Sequence, residues 1–128
     1  MSRQVIRTTE APTSPLFSQA VRAGSMIYVS GIAGIDPETN QITGSTVQEQ
    51  TQQALANCEA ILRAAGSSLA NVVDVLVLLA RPTDFAGLND AWAKAFPQNP
   101  PARAVAKLGV EVPNLLVSLK MTAVVSDS

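Results

Sequence analysis

Residues 72–80 read Val-Val-Asp-Val-Leu-Val-Leu-Leu-Ala, and no other stretch of the chain constrains the architecture as strongly. Its β-branched and aliphatic residues predict a β-strand. Side chains alternate between the two faces of a strand, so both faces are apolar here and Asp74 is the only charge. This pattern is typical of a strand buried on both sides. One face is predicted to carry Val73, Val75, Val77 and Leu79, and the other Val72, Leu76 and Leu78.

An amphipathic helix is predicted before this strand. Thr46 and Glu49 have the spacing of a capping box, and Gly66 stands where a left-handed residue commonly ends a helix. Between them, the residues that would face the core recur at the three/four spacing of a helix. They are Val47, Thr51, Ala54, Leu55, Cys58, Ile61, Leu62 and Ala65.

A second helix follows the strand. Asp84 is its predicted N-cap, and Pro97, Pro100 and Pro101 end it. Its apolar side carries Phe85, Leu88, Trp92 and Phe96. Further strands are predicted at 4–8, 17–22, 26–30, 102–107 and 115–124, with a turn at 23–25 and an irregular segment at 31–35. The order β-β-β-α-β-α-β-β predicts one α/β (α+β) domain over residues 1–128, with a mixed six-stranded sheet and two helices on one face.

The second face of this sheet has no helix to cover it. Since residues 72–80 are apolar on both sides, we expect a partner subunit to cover the exposed side. The alternative is a strand end that is merely apolar.

Composition excludes several classes of function. The chain has no histidine and one cysteine, so Cys/His metal sites and Ser-His or Cys-His nucleophile pairs cannot be assembled within it. Nine basic and ten acidic residues without a basic block do not indicate nucleic-acid binding. The start, Met1-Ser2-Arg3-Gln4, lacks an apolar signal core, and no apolar run is long enough to span a membrane. We therefore expect a cytoplasmic protein without a metal or cofactor.

Arg103 is the clearest candidate for chemistry. It follows the rigid segment Pro100-Pro101-Ala102 at the start of a predicted strand. Its planar fork of donors matches a carboxylate, so it is suited to hold a small anion. A surface or ion-paired arginine is the simpler explanation from spacing alone. Asp74 and Cys58 are read as structural, a partnered carboxylate and a packed thiol.

At this point the sequence resembles the reactive-intermediate (imine/enamine) deaminase family, the RidA-like proteins. The likeness runs through nearly the whole chain. The matching segments are Ala11-Pro12, Phe17-Ser18-Gln19-Ala20-Val21, Tyr28-Val29-Ser30-Gly31, Asp36-Pro37-Glu38-Thr39, Ala64-Ala65-Gly66, Asp84-Phe85, Asn89 and Pro101-Ala102-Arg103.

The resemblance implies a chorismate-mutase-like fold and a homotrimer with sites in the clefts between subunits. It implies hydrolysis of imines and enamines of the 2-aminoacrylate type to a 2-keto acid and ammonia, without a cofactor. Arg103 matches the family arginine that binds the substrate carboxylate. Phe17, Ile32 and Asn89 fall at further substrate-binding positions of the family.

The chain departs from the family in its last strand. The family's Val-Glu-Ile-Glu stretch reads Val117-Ser118-Leu119-Lys120, so both glutamates are replaced. Two hypotheses remain. In the first, an imine deaminase uses Arg103 to bind the carboxylate and Ser118 or backbone groups to position water. In the second, a non-catalytic trimer binds a small anionic metabolite through Arg103 and Lys120.

Overall fold

The computed structural model describes residues 2–126. Within these residues four strands come first, followed by a helix, a strand, a second helix and two more strands. Short 3-10 turns precede the fifth strand and the second helix. The elements are β1 (Arg3–Ile6), β2 (Ala20–Ala23), β3 (Met26–Val29), β4 (Ile32–Ala33), α1 (Val47–Ala64), β5 (Val72–Leu79), α2 (Phe85–Ala95), β6 (Ala102–Lys107) and β7 (Val117–Val124).

All strands join one mixed sheet in the order β1-β2-β3-β7-β5-β6, and β4 also pairs with β7. Every pairing is antiparallel except β5 with β6, which are parallel and connected through α2. The α/β class with two helices is confirmed, but the predicted count of six strands is wrong. Residues 29–31 lie opposite only two residues of β7, and beyond this bulge Ile32 and Ala33 pair with Leu119 and Ser118.

The first helix is formed as predicted. The Thr46 hydroxyl accepts a hydrogen bond from the Glu49 amide, and the Glu49 carboxylate accepts one from the Thr46 amide. Gly66 has a φ of +84°, the left-handed conformation that ends the helix. The predicted inner positions are all buried, so α1 packs its apolar face on the sheet.

The second strand begins later than predicted, at Ala20 instead of Phe17. The reason is Gln19, a buried amide whose Nε2 donates to the carbonyls of Thr8, Ala11 and Pro12. Its Oε1 accepts from the Thr8 amide. These side-chain hydrogen bonds satisfy the loop backbone, so a longer ladder between the first two strands is not needed.

The strand β5 has one face under the helices, where Val75, Val77 and Leu79 are buried. Val73 was predicted to lie with them, and this is wrong because Val73 is 43% exposed. The register with β7 shifts between Val72 and Asp74, and this bulge reverses the alternation at the start of the strand.

The opposite side of the sheet, which we call the open face, is covered by no helix of the described chain. Tyr28 and Leu76 are 46% and 37% exposed there. Strand registers place the following residues on it: Val5, Val21, Tyr28, Asp74, Leu76, Leu78, Ser118, Lys120 and Thr122. Large apolar side chains on an uncovered sheet are typical of an interface.

Candidate functional site

Arg103 is the second residue of β6, which forms one edge of the sheet. It lies opposite Val75, whose side chain is buried beneath the helices. Neighbouring residues in register share a face, so Arg103 projects on the helix-covered side. The parallel pairing of β5 with β6 thus brings Arg103 against α2.

Three side chains of α2 contact the Arg103 guanidinium. Its Nη1 donates a 2.8 Å hydrogen bond to Asn89 Oδ1. Its Cζ lies 5.8 Å from the ring centroid of Phe85 and 5.3 Å from that of Trp92. Positions 85, 89 and 92 share one helix face at the spacings i, i+4 and i+7. One helix therefore supplies all three contacts.

None of these contacts neutralises the arginine. Within residues 2–126 the ion pairs are Arg63 with Glu59 and Arg81 with Asp84, and Arg103 takes part in neither. The Asp84 carboxylate is bound by Arg81 through two hydrogen bonds of 2.9 and 3.1 Å. The sequence had predicted that the Asp84 side chain caps α2, and this is wrong: its carboxylate is held by Arg81 and makes no capping hydrogen bond. Arg103 is a half-buried cation held by neutral groups, with donors left to bind an anion.

An apolar depression of about 360 Å³ adjoins the arginine and shares Phe85 with it. It is lined by Leu79, Pro82, Phe85, Val105, Ala106 and Lys107. A small organic acid on Arg103 would thus have apolar surface beside it.

Ser118 and Lys120 lie on the open face, opposite Leu78 and Leu76. The Lys120 ammonium donates to the Val29 carbonyl, and partial burial lowers the pKa of this amine. A Cβ built on Gly31 would come within 3.2 Å of Ser118 Oγ. A larger residue at position 31 would therefore crowd the Ser118 hydroxyl.

The predicted site residues form two groups. The structure brings Arg103 and Asn89 together. Ser118 and Lys120 are on the other face of the sheet, and two strand spacings, about 10 Å, separate β6 from β7. Phe17 lies in a loop and is 49% exposed, whereas the Ile32 side chain is buried in the core.

Sequence reasoning missed the aromatic contacts of Arg103. It assigned Phe85 and Trp92 to the apolar side of α2, and Trp92 is indeed buried. The sequence did contain a signal for these contacts. One aromatic residue lies four positions before Asn89, another lies three positions after it, and an arginine follows early in the next strand.

No group of three or more His, Cys, Asp or Glu side chains among residues 2–126 is arranged to hold a metal ion. In the same part of the chain, neither helix has the length and apolar character needed to cross a membrane.

These features define a mixed α/β protein with an arginine at one sheet edge that takes part in no ion pair within residues 2–126, and with an uncovered sheet face. The chain belongs to the family described as Endoribonuclease L-PSP, whose sequence model matches residues 8–125.

Individual proteins of this family are similar to the chain over most of its length. A RutC family protein of Pyrococcus abyssi is 37% identical over 96% of this chain and 98% of its own length. A 2-iminobutanoate/2-iminopropanoate deaminase of Rattus norvegicus is 45% identical over 80% of this chain and 75% of its own. The crystal structure of RidA from the Antarctic bacterium Psychrobacter sp. PAMC 21119 superimposes with a TM-score of 0.89 at 34% identity, covering 95% of this chain and 99% of that one. The fold is accordingly the chorismate-mutase-like fold of RidA proteins.

Proposed function

We propose that this protein hydrolyses small 2-imino acids such as 2-iminobutanoate, with Arg103 binding the substrate carboxylate. Water adds to the imine carbon and the C–N bond then breaks, so that a 2-keto acid and ammonia are released. The relatives named as 2-iminobutanoate/2-iminopropanoate deaminases support this reaction type.

The observation that carries the proposal is the state of Arg103. Its guanidinium has no carboxylate partner in residues 2–126. Because Asn89 and two rings hold it in place, it is oriented to bind an external carboxylate. The bond to Asn89 Oδ1 occupies one of its five N–H donors. We therefore interpret Asn89 as acting on substrate through Arg103.

The remaining polar groups would come from another copy of the chain. A four-carbon substrate on Arg103 cannot reach Ser118 of the same chain, because the sheet and a lateral distance of about 10 Å intervene. A homotrimer whose open faces are covered by neighbouring subunits would place Ser118, Lys120 and Phe17 of one copy near Arg103 of the next. Exposed Tyr28 and Leu76 support such an assembly.

The chemistry required of the protein is modest. An imine reacts with water unaided, so orienting its carboxylate and placing one water account for much of the catalysis. Ser118 Oγ and nearby backbone groups are our candidates for holding that water. No resident metal is needed for this reaction.

The experiment couples the protein to a dehydratase that releases 2-aminoacrylate or its four-carbon homologue, and follows keto-acid formation. We expect acceleration by the wild type, and a reduction of this acceleration by about ten- to a hundredfold in Arg103→Ala, since a charge-assisted pair is lost. Arg63→Ala is the matched control, because Arg63 forms an exposed ion pair on α1.

Each outcome is informative. Equal acceleration by wild type and Arg103→Ala would remove Arg103 from the mechanism. If neither the wild type nor Arg103→Ala accelerated keto-acid formation, the proposed deaminase activity would be rejected. The same preparations incubated with RNA test the activity that the family description names, and we expect no cleavage because the chain has no histidine to serve as general base.

The second candidate is a trimeric protein that binds a small anionic metabolite without turnover. The observation that favours it is the polar part of β7 on the open face, which presents Ser118, Lys120 and Thr122 and no carboxylate. Binding of 2-oxobutanoate through Arg103 without acceleration would select this candidate.

A further inference from the structure

The aromatic rings of Phe85 and Trp92 lie beside the Arg103 guanidinium. We infer that Phe85 and Trp92 are positioning residues, which hold the guanidinium in the orientation that binds a carboxylate. This inference rests on the proposed function for its ligand, but the positioning itself concerns the free protein.

An arginine that must bind an anion presents a physical difficulty. A carboxylate partner would fix its long side chain but would also neutralise the charge and occupy the fork. Without any partner the side chain would sample many rotamers, and binding would have to order it. Ring faces attract the guanidinium electrostatically while leaving its charge and its N–H groups free.

The geometry around Arg103 fits this role. Both ring centroids lie within 6 Å of Arg103 Cζ, the range of a cation–π interaction. Asn89 fixes one nitrogen at 2.8 Å, so the guanidinium is held at three points of one helix. A single hydrogen bond would leave rotation about that bond open, and the rings restrict it.

The two rings differ in rigidity. Trp92 is 7% exposed and packs against Phe96 with ring centroids 4.8 Å apart. Phe85 is 47% exposed at the first turn of α2. Trp92 is therefore held in place by the core. Phe85 can be substituted without leaving a cavity in the core.

The first measurement needs no substrate. Nitrogen-15 NMR of arginine side chains, with the Arg103 signal assigned by its loss in Arg103→Lys, reports the ring-current shift and the rotation of the guanidinium. We expect a shifted, slowly rotating signal in the wild type. Phe85→Leu and Trp92→Leu should move it toward the free-arginine position, whereas Phe85→Tyr and Trp92→Phe should retain it.

The second measurement is the dissociation constant of 2-oxobutanoate, taken with the same proteins. We expect Phe85→Leu and Trp92→Leu to raise it about three- to tenfold, and the ring-retaining variants to remain near wild type. In the coupled assay KM should rise while kcat changes little, because the anchor acts equally on bound substrate and transition state. Urea unfolding of each variant identifies any that are misfolded, and Phe85→Leu carries the test if Trp92→Leu is one of them.

The outcomes separate the inference from the proposed function. If the wild type binds no 2-oxo acid, the carboxylate-anchor function fails, and the NMR result alone decides whether the rings hold Arg103. Leucine variants that match the ring-retaining variants in rotation would overturn the inference. The inference would also be overturned if the leucine variants let the guanidinium rotate freely but bound 2-oxobutanoate with the wild-type dissociation constant.

Discussion

The two faces of the sheet differ in whether the chain itself covers them. On the helix-covered face, one chain supplies a cation and its three neutral partners, Asn89, Phe85 and Trp92. On the open face, Ser118 and Lys120 stand among exposed apolar side chains such as Tyr28 and Leu76. On the first face, one chain supplies every contact of the guanidinium described above, whereas we propose that another copy of the chain buries the second face.

The largest expected effect tests this contrast through stability. Leu62 is fully buried under the sheet, and Leu62→Ala should lower the free energy of unfolding by about 2–5 kcal/mol through lost contacts and a cavity. Leu76→Ala on the open face should cost at most about 1 kcal/mol within one chain. Urea titrations of both variants at several protein concentrations provide the measurement.

If a second copy covers the open face, as we propose, any further loss of stability in Leu76→Ala should depend on protein concentration. Equal losses in the two variants at every concentration would contradict the distinction between the faces.

The second prediction concerns the pH dependence of the helix-covered side. Burial raises the pKa of the Cys58 thiol to about 12, whereas the pKa of a thiol in the unfolded chain is about 8.5. Between these values the unfolded chain loses a proton that the folded chain keeps, so stability falls as pH rises. We expect the free energy of unfolding to drop by about 1–2 kcal/mol between pH 8 and about 10.

Cys58→Ala is the control, because it removes this titration and adds only a pH-independent offset. A difference between wild type and Cys58→Ala that stays constant over this range would mean that the thiol is not buried.

Local sequence signals predicted the elements well. The capping box at Thr46 and the left-handed Gly66 bound α1 where expected, and β6 spans the predicted residues 102–107. These features depend on neighbours within a few positions. The β4 strand escaped prediction because two residues, Ile32 and Ala33, carry no periodicity and are ordered by pairing with β7.

The site was less accessible to sequence reasoning. Arg103 could be named as a candidate for binding an anion from its residue type and its position after two prolines. The face on which it lies depends on the register of β6 against Val75, a contact between residues 28 positions apart in sequence. The separation of Arg103 from Ser118 follows from the same long-range pairing, which no local pattern encodes.

The smallest expected effect concerns Lys120 and has the opposite sign to that of Cys58. Partial burial lowers the pKa of this amine, so the folded state disfavours its charged form. The penalty is present below the folded pKa and disappears as pH rises toward about 10.4, the ordinary value for lysine. Measured against Lys120→Met, wild-type stability should therefore increase with pH. Because the side chain is exposed in part, the change should be small, and its direction is the test. A decrease with pH would show that an acidic group, either Asp74 on the same face or one from a partner copy, stabilises the ammonium.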